Sequence, residues 1–335
     1  MSVTSPVTVA NPADGPLHIV GRFGDPHSGA ELQVLELARR LKGRREVQLW
    51  SDIPPHPVFV KQGVRHIRPF DRQAPFGGTL LLGSVFVDTG FWLQHAKPRR
   101  VVVHYNVTSH ETLFARLAEV SQVTGVDPEI TYVSDPVRLT VNLPGLVERS
   151  WIDLRQFLAV PVRRPEFRPF TVGRLSRDSP DKHHAQDPQL YRMLAQRGVK
   201  VRVQGGTCLA GELANIPDIE LLPAGALPAA DFLASIDLFF YRPGSAREAY
   251  GRVVVEAMAS GLPVVAGAEG AGYAELVQPG VTGWMVRTQE EAFDRVMQLA
   301  ASRTISETLG EAGRRLAREL HQDSAGEALL QYYLN

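Results

Sequence analysis

The chain has 335 residues, enough for two domains of ordinary size, and its 44% hydrophobic and 21% charged content is that of a globular protein. Lys plus Arg and Asp plus Glu both number 36, so the basic excess of a dedicated nucleic-acid binder is absent. One cysteine, Cys208, excludes an intramolecular disulfide and suits a reducing compartment; no apolar run reaches transmembrane length.

The first fifteen residues are polar and Pro-rich, without a signal-peptide core, and read as a loose tail. The apolar run 17–21 predicts the first strand, followed by the loop RFGDPHSGAE and a helix over 30–41. Gly24, Pro26, Ser28 and Gly29 shape that loop at the C-terminal end of a strand, where open α/β sheets hold ligands. It carries no G-x-G-x-x-G pattern, which argues against a dinucleotide site. Arg39, Arg40, Lys42, Arg44 and Arg45 gather at the helix end. They complement the helix dipole, and two readings stand: a solvated cap, or a patch for an anionic membrane surface.

Further strands are predicted at 47–50, 64–67, 79–82, 100–104 and 130–133, with a short helix at 88–95 and a longer one at 110–124. His104 ends one of these strands, at the sheet edge used for function, and reads equally as a satisfied structural histidine. The alternation of strand and helix implies a mostly parallel sheet covered on both faces. Residues 142–164, punctuated by Pro and Arg, read as the passage between domains.

A second alternation begins with a strand at 170–173 and the loop RLSRDSPDK, which holds Arg174, Arg177 and Lys182. The adjacent His183 and His184 lack metal-ligand spacing and read as loop. Asp187-Pro188 opens a helix, with Asp187 as N-cap. Strands at 199–203 and 219–222 follow, with a tight Gln204-Gly205-Gly206 turn between them and a helix at 227–235 after them. The stretch YRPGSAREAYGRVVVEAMASGLPVVAG, residues 241–267, then reads as strand, loop, helix over 251–260, a Gly261 stop, and strand.

Glu248 lies before that helix and Glu256 inside it. The backbone amides near Ala249, Tyr250 and Gly251 open a helix, a setting that attracts phosphate, and Gly251 permits close approach. Two flanking carboxylates suit a ligand that also carries sugar hydroxyls. The bland alternatives are a solvated loop acid for Glu248 and an i,i+4 pair with Arg252 for Glu256. Gly267, Gly270 and Gly272 keep the next loop small, and helices are predicted at 289–301, 305–320 and 325–334.

Glu248-AYGRVVV-Glu256-AMASGLPVVA resembles the E-x7-E signature of retaining, nucleotide-sugar-dependent glycosyltransferases of the family 4 type, which have the GT-B fold. The SGAE loop is similar to that family's glycine loop, with Ala30 where many members have a second glycine. Gly173-Arg174-Leu175-Ser176 resembles the segment that opens the family's second domain, although Lys182 comes eight residues after Arg174 rather than five. The segment from Glu275 to Trp284 is also similar to one in the family.

The resemblance covers most of the chain and is strongest over 165–290. It implies two Rossmann-like α/β domains facing a central cleft: residues 1–160 on the acceptor side, 161–320 on the donor side, and 321–335 packing back on the first domain. It implies that Glu248 meets the donor sugar and Glu256 the ribose. Arg174 and Lys182, with Arg177 as a substitute, stabilise the leaving diphosphate; Gly29, Ala249, Tyr250 and Gly251 lie near the phosphates; His104 reaches donor sugar or acceptor. With no D-x-D motif and no carboxylate nucleophile pair, a metal-independent, same-face retaining transfer is expected. No cofactor is expected beyond the nucleotide-diphosphate sugar donor itself. The other expected partner is a sugar, glycolipid or other acceptor, with no nucleic acid. The expected setting is bacterial polysaccharide, lipid-linked oligosaccharide or glycolipid assembly, in the cytoplasm with peripheral contact at the inner membrane face. The rivals are a nucleotide-sugar-binding protein without catalysis and a GT-B nucleotide-sugar epimerase.

Overall fold

The computed structural model of the chain describes residues 15–161, 168–268 and 272–335. The expected N-terminal tail up to residue 14, the end of the expected passage at 162–164, and Gly270 lie outside the described residues. The chain divides into two compact units, Met1–Ile152 with Asp323–Asn335, and Asp153–Gln322.

The first unit runs β1 (Leu17–Gly21), α1 (Gly29–Leu41), β2 (Val47–Ser51), α2 (Pro57–Val60), β3 (Arg65–His66), β4 (Thr79–Leu82), α3 (Trp92–Ala96), β5 (Arg100–Tyr105), α4 (His110–Thr124), β6 (Glu129–Tyr132), α5 (Asp135–Val141) and β7 (Leu146–Val147). Its strands form one parallel sheet in the order β3-β2-β1-β4-β5-β6-β7. The order reverses between β1 and β4, so the loops after those strands diverge and open a crevice at their C-terminal ends. β1 is buried along its whole length, with His18 satisfied by the Phe76 carbonyl and Trp50 Nε1, and α1 packs on it through Val34, Leu37 and Leu41. The expected helix at 88–95 begins only at Trp92, because the Asp88 carboxylate accepts from the Gly90 amide and turns the chain first.

The second unit runs α6 (Arg155–Leu158), β8 (Thr171–Leu175), α7 (Asp187–Ala195), β9 (Lys200–Gln204), α8 (Ala210–Leu213), β10 (Ile219–Leu222), α9 (Ala229–Ala234), β11 (Leu238–Tyr241), α10 (Arg252–Ala259), β12 (Val264–Gly267), β13 (Gly283–Val286), α11 (Gln289–Ala301) and α12 (Arg303–His321). Its parallel sheet has the order β10-β9-β8-β11-β12-β13 and reverses between β8 and β11. α10 is almost wholly buried, from Val254 through Ala259. α12 reaches it closely because Gly310 and Gly313 present no side chain; a Cβ at Gly313 would already stand 3.4 Å from Met258.

The stretch read as a bare passage, 142–164, contains β7 and α6, and the units part between Ile152 and Asp153. α13 (Glu327–Leu334) closes the first unit, burying Leu330, Tyr333 and Leu334 with Leu17, Val34 and Trp151. It also answers the arginine cluster at the end of α1. Arg44 pairs with Glu327 at 2.5 Å and Arg45 donates to the Tyr333 carbonyl, while Arg39 and Arg40 bond Glu36 at 2.7 and 2.9 Å. Four of the five cations read as a solvated cap or membrane patch are thus engaged within the unit, and Lys42 is exposed. Among the described residues no helix is long and apolar enough to cross a membrane.

Candidate functional site

The loops after β8 and β11 flank the point where the second sheet reverses, and they are stitched to each other. The Ala246 amide donates to the Asp181 carbonyl at 3.0 Å, and Gly244 lies directly against the Asp181 and His183 carbonyls. This brings Lys182 Nζ to 3.3 Å from Glu248 Oε2. The Tyr241 hydroxyl, at the end of β11, donates to the same oxygen at 2.7 Å. Burial, and then the Glu248 charge, push the Tyr241 hydroxyl well above its ordinary value, so it stays a neutral donor. Lys182 and Glu248 keep 15% and 22% of their side-chain surface, enough to meet a ligand.

Arg174 does not share that exposure. Its side chain is 1% exposed, donates to the Arg242 carbonyl at 2.9 Å and to the Lys182 carbonyl, and lies 4.6 Å over the Tyr241 ring. Asp187, fully buried, stands 3.7 Å from Arg174 and accepts from Arg242 Nε at 2.9 Å. The arginine expected at the diphosphate thus fixes the Lys182 loop from behind. The reason is physical: a guanidinium that deep needs carbonyls and a carboxylate, and the fold supplies them. Arg177 is exposed, 4.0 Å from Asp181. His183 Nε2 bonds the Gly205 carbonyl at 2.9 Å, so the Gln204-Gly205-Gly206 turn packs on this loop rather than standing open.

Gly251 caps α10 with φ +86°, and a Cβ there would stand 2.9 Å from the Tyr273 ring, so both backbone and space require glycine. The Gly272 amide donates to the Glu248 carbonyl at 2.7 Å and holds the loop on that side. Ala249 and Tyr250 are buried, and the Tyr250 hydroxyl lies 2.9 Å from His321 Nε2. Glu256 is buried within α10, with Arg252 at 4.0 Å. Burial raises its carboxyl to about 7, with Arg252 opposing.

In the first unit, Gly29 opens α1 and His104 is buried. His104 Nδ1 bonds Thr131 Oγ1 at 2.8 Å, Nε2 meets Gln33 Nε2 at 2.6 Å, and Glu148 is 3.6 Å away. Burial lowers His104 to about 3 and raises Glu148 to about 7. Glu148 accepts from Trp151 Nε1 at 2.8 Å and from the Tyr333 hydroxyl. His104, expected to reach donor or acceptor, therefore sits in a polar knot that joins α1, β5, β6 and α13. Lys182, Glu248 and the start of α10 come together in the second unit; Gly29 and His104 belong to the first. Tyr241 and Arg242 were not singled out in the sequence, and Asp187 was read only as a helix cap. Asp187 was expected to cap α7, but it is the first residue of that helix and turns its carboxylate on the two arginines.

Residues 222–316 match the family model described as Glycosyl transferases group 1. No curated protein matches the chain. Among solved structures, HepE from Anabaena, crystallised with UDP and glucose, is 16% identical with a TM-score of 0.73, over 95% of this chain and 99% of that one. Sucrose-phosphate synthase from Thermosynechococcus elongatus gives 16% and 0.71, over 95% and 98%. WaaG, a glycosyltransferase involved in lipopolysaccharide biosynthesis, gives 15% and 0.60, over 95% and 98%. The two parallel-sheet α/β units carry the GT-B fold of these structures, and the helix with Glu248 at its entry lies inside the matched glycosyl transferases segment.

Proposed function

We propose that this chain is a retaining glycosyltransferase, with the second unit holding a UDP-sugar and the first serving the acceptor. The observation that carries the reading is the Lys182–Glu248 pair at the reversal of the second sheet, with Tyr241 on the same carboxylate and α10 starting four residues later. A donor diphosphate needs cations and dipoles placed where its leaving charge grows; Lys182 and the positive end of α10 supply them. Glu248 then accepts from hydroxyls of the donor sugar, and Glu256 from the ribose. Arg174 is a positioning residue that sets the Lys182 loop. Uridine is favoured because HepE, the same fold, was crystallised with UDP and with UDP-glucose.

Retention follows from a same-face transfer. The C1–O bond to the diphosphate breaks as the acceptor oxygen bonds C1 on the same face, and the leaving phosphate oxygen takes the acceptor proton. Glu248 positions and stabilises; it is not the nucleophile. No metal is required in this reading, because Lys182 and α10 face the leaving charge. The setting is polysaccharide, lipid-linked oligosaccharide or glycolipid assembly at the cytoplasmic membrane face. The test is UDP release from UDP-glucose in the presence of a chelator. Glu248→Gln should slow it by about 100- to 1,000-fold with UDP affinity kept, the size of a lost transition-state contact. Unchanged turnover in that variant would sink the assignment, and an inverted anomer in a transfer product would refute retention.

A further inference from the structure

The Glu248 carboxylate is held by one oxygen. Lys182 Nζ at 3.3 Å and the Tyr241 hydroxyl at 2.7 Å both donate to Oε2, and Oε1 takes no bond from the described residues. Two donors on one oxygen and none on the other give the group a direction: Oε2 is turned on the protein and Oε1 is left for a ligand. The two donors differ in what they can do next. Lys182 is 15% exposed, carries its ammonium on a flexible stem, and its 3.3 Å bond lies outside the usual range of about 2.7–3.2 Å. Tyr241 is 1% exposed and has no room to follow a ligand.

The Tyr241 ring is clamped on several sides. It ends β11, with the Arg174 guanidinium 4.6 Å over it, the Tyr273 ring edge-on at 5.6 Å and the Phe239 ring parallel at 6.2 Å. Tyr273 is itself tied, its hydroxyl donating to the Gly267 carbonyl at 2.8 Å. The buried arginine that fixes the Lys182 loop therefore also backs the ring that reaches Glu248. Burial keeps the Tyr241 hydroxyl protonated, so it is a permanent donor. A lysine drawn to a diphosphate leaves the carboxylate; a hydroxyl set by a strand and three packed groups does not.

We propose that Tyr241 is a positioning residue for Glu248: its hydroxyl anchors Oε2 and keeps Oε1 presented to the donor sugar once Lys182 has turned to the diphosphate. This deepens the transferase reading and rests on it. In this role Tyr241 touches no substrate and acts through the carboxylate alone. Its replacement therefore costs turnover rather than nucleotide binding, and costs nothing once the carboxylate is gone.

The test is Tyr241→Phe made in the natural chain and again in Glu248→Ala, with UDP release from UDP-sugars and UDP affinity by calorimetry as readouts. In the natural chain it should lower kcat about 10- to 100-fold, the range of a lost hydrogen bond to a charged group, with the Kd for UDP moved by less than about threefold. In Glu248→Ala the same change should alter kcat by less than about twofold, because two groups that act as one unit are not additive. Phenylalanine keeps the ring packing, so the melting temperature should stay close to that of the natural chain. Full turnover in Tyr241→Phe, equal losses in both backgrounds, or UDP affinity that falls in step with kcat would overturn the assignment and leave the transferase reading standing. A collapse of stability in Tyr241→Phe would overturn it too, by making the hydroxyl a structural strut. A natural chain that releases no UDP from UDP-glucose, UDP-galactose or UDP-N-acetylglucosamine, and takes no thermal shift from UDP, would strike the transferase reading itself and the assignment with it.

Discussion

The loops after β8 and β11 are held by charges that answer one another: Asp187 with Arg174 and Arg242 behind, Lys182 with Glu248 in front. The loops after β1, β2 and β5 are built on the same strand order, yet they keep buried acceptor oxygens without a hydrogen-bond partner among the described residues. Topology supplies a crevice at the same place in both sheets; the side chains on the loops decide what charge it takes. On the reading proposed above, the second unit's edge presents a cation and a helix start, Lys182 and α10, to a diphosphate.

The largest expected effect removes the buried anion that organises the second edge. Asp187→Ala leaves Arg242 and Arg174 without their carboxylate in a fully buried place, at a cost of about 3–5 kcal/mol. Urea unfolding should show the midpoint drop, whereas Asp52→Asn on the first edge should move it little. Equal losses in the two variants would erase the contrast between the two edges.

Next comes Lys182→Ala. It removes a charge-assisted contact of about 1.5–3 kcal/mol and should weaken UDP binding roughly 10- to 100-fold by calorimetry. Gly251→Ala should impair UDP binding too, since the new Cβ meets Tyr273 and φ +86° disfavours it. UDP affinity that survives both changes would place the nucleotide elsewhere.

A pH effect sharpens the comparison further. Glu256 in the second unit and Glu148 in the first are both raised by burial to about 7 from 4.5. Each is bound more tightly to its proton when folded. Each therefore adds stability that is complete below pH 4.5 and fades as pH rises through 7, on the order of 3 kcal/mol per group. His104, lowered by burial to about 3 from 6.5, works in the other direction, losing stability as pH falls below 6.5. Glu256→Gln should flatten the decline in melting temperature between pH 5 and 8; an unchanged slope would contradict the buried, proton-holding carboxyl. The smallest effect is Arg44→Ala, whose half-exposed pair with Glu327 is worth about 0.5 kcal/mol in thermal unfolding.

Local signals carried much of the fold. The apolar runs at 17–21, 79–82 and 219–222 and the periodic stretches at 110–124 and 289–301 became β1, β4, β10, α4 and α11 with the same bounds. α5 was passed over although Ser134 caps it and Pro136 stands in its first turn, a signal that was there to be read. β13 was missed because Trp284 and Met285 are only half buried in a short edge strand, which blunts the apolar pattern. The site was legible where it is contiguous: Glu248, Gly251 and Glu256 lie within nine residues. It was not legible where partners are remote. Asp187 meets Arg242 across 55 positions, and Arg45 meets Tyr333 across 288, so the arginines of α1 read as a surface patch and Arg174 as a ligand group. Asp52 follows a strand with nothing local to mark it; its partners, the Asp88 amide and Arg22, lie on other loops.

The most direct test of the central claim is a thermal-shift panel with UDP, GDP, ADP, CMP and NAD. A ligand that binds only the folded chain adds about 2.7 kcal/mol at a hundredfold excess over its Kd. UDP should give that stabilisation and Lys182→Ala should diminish it. A shift with NAD alone, or none with any nucleoside diphosphate, would contradict a nucleotide-sugar site at the reversal of the second sheet.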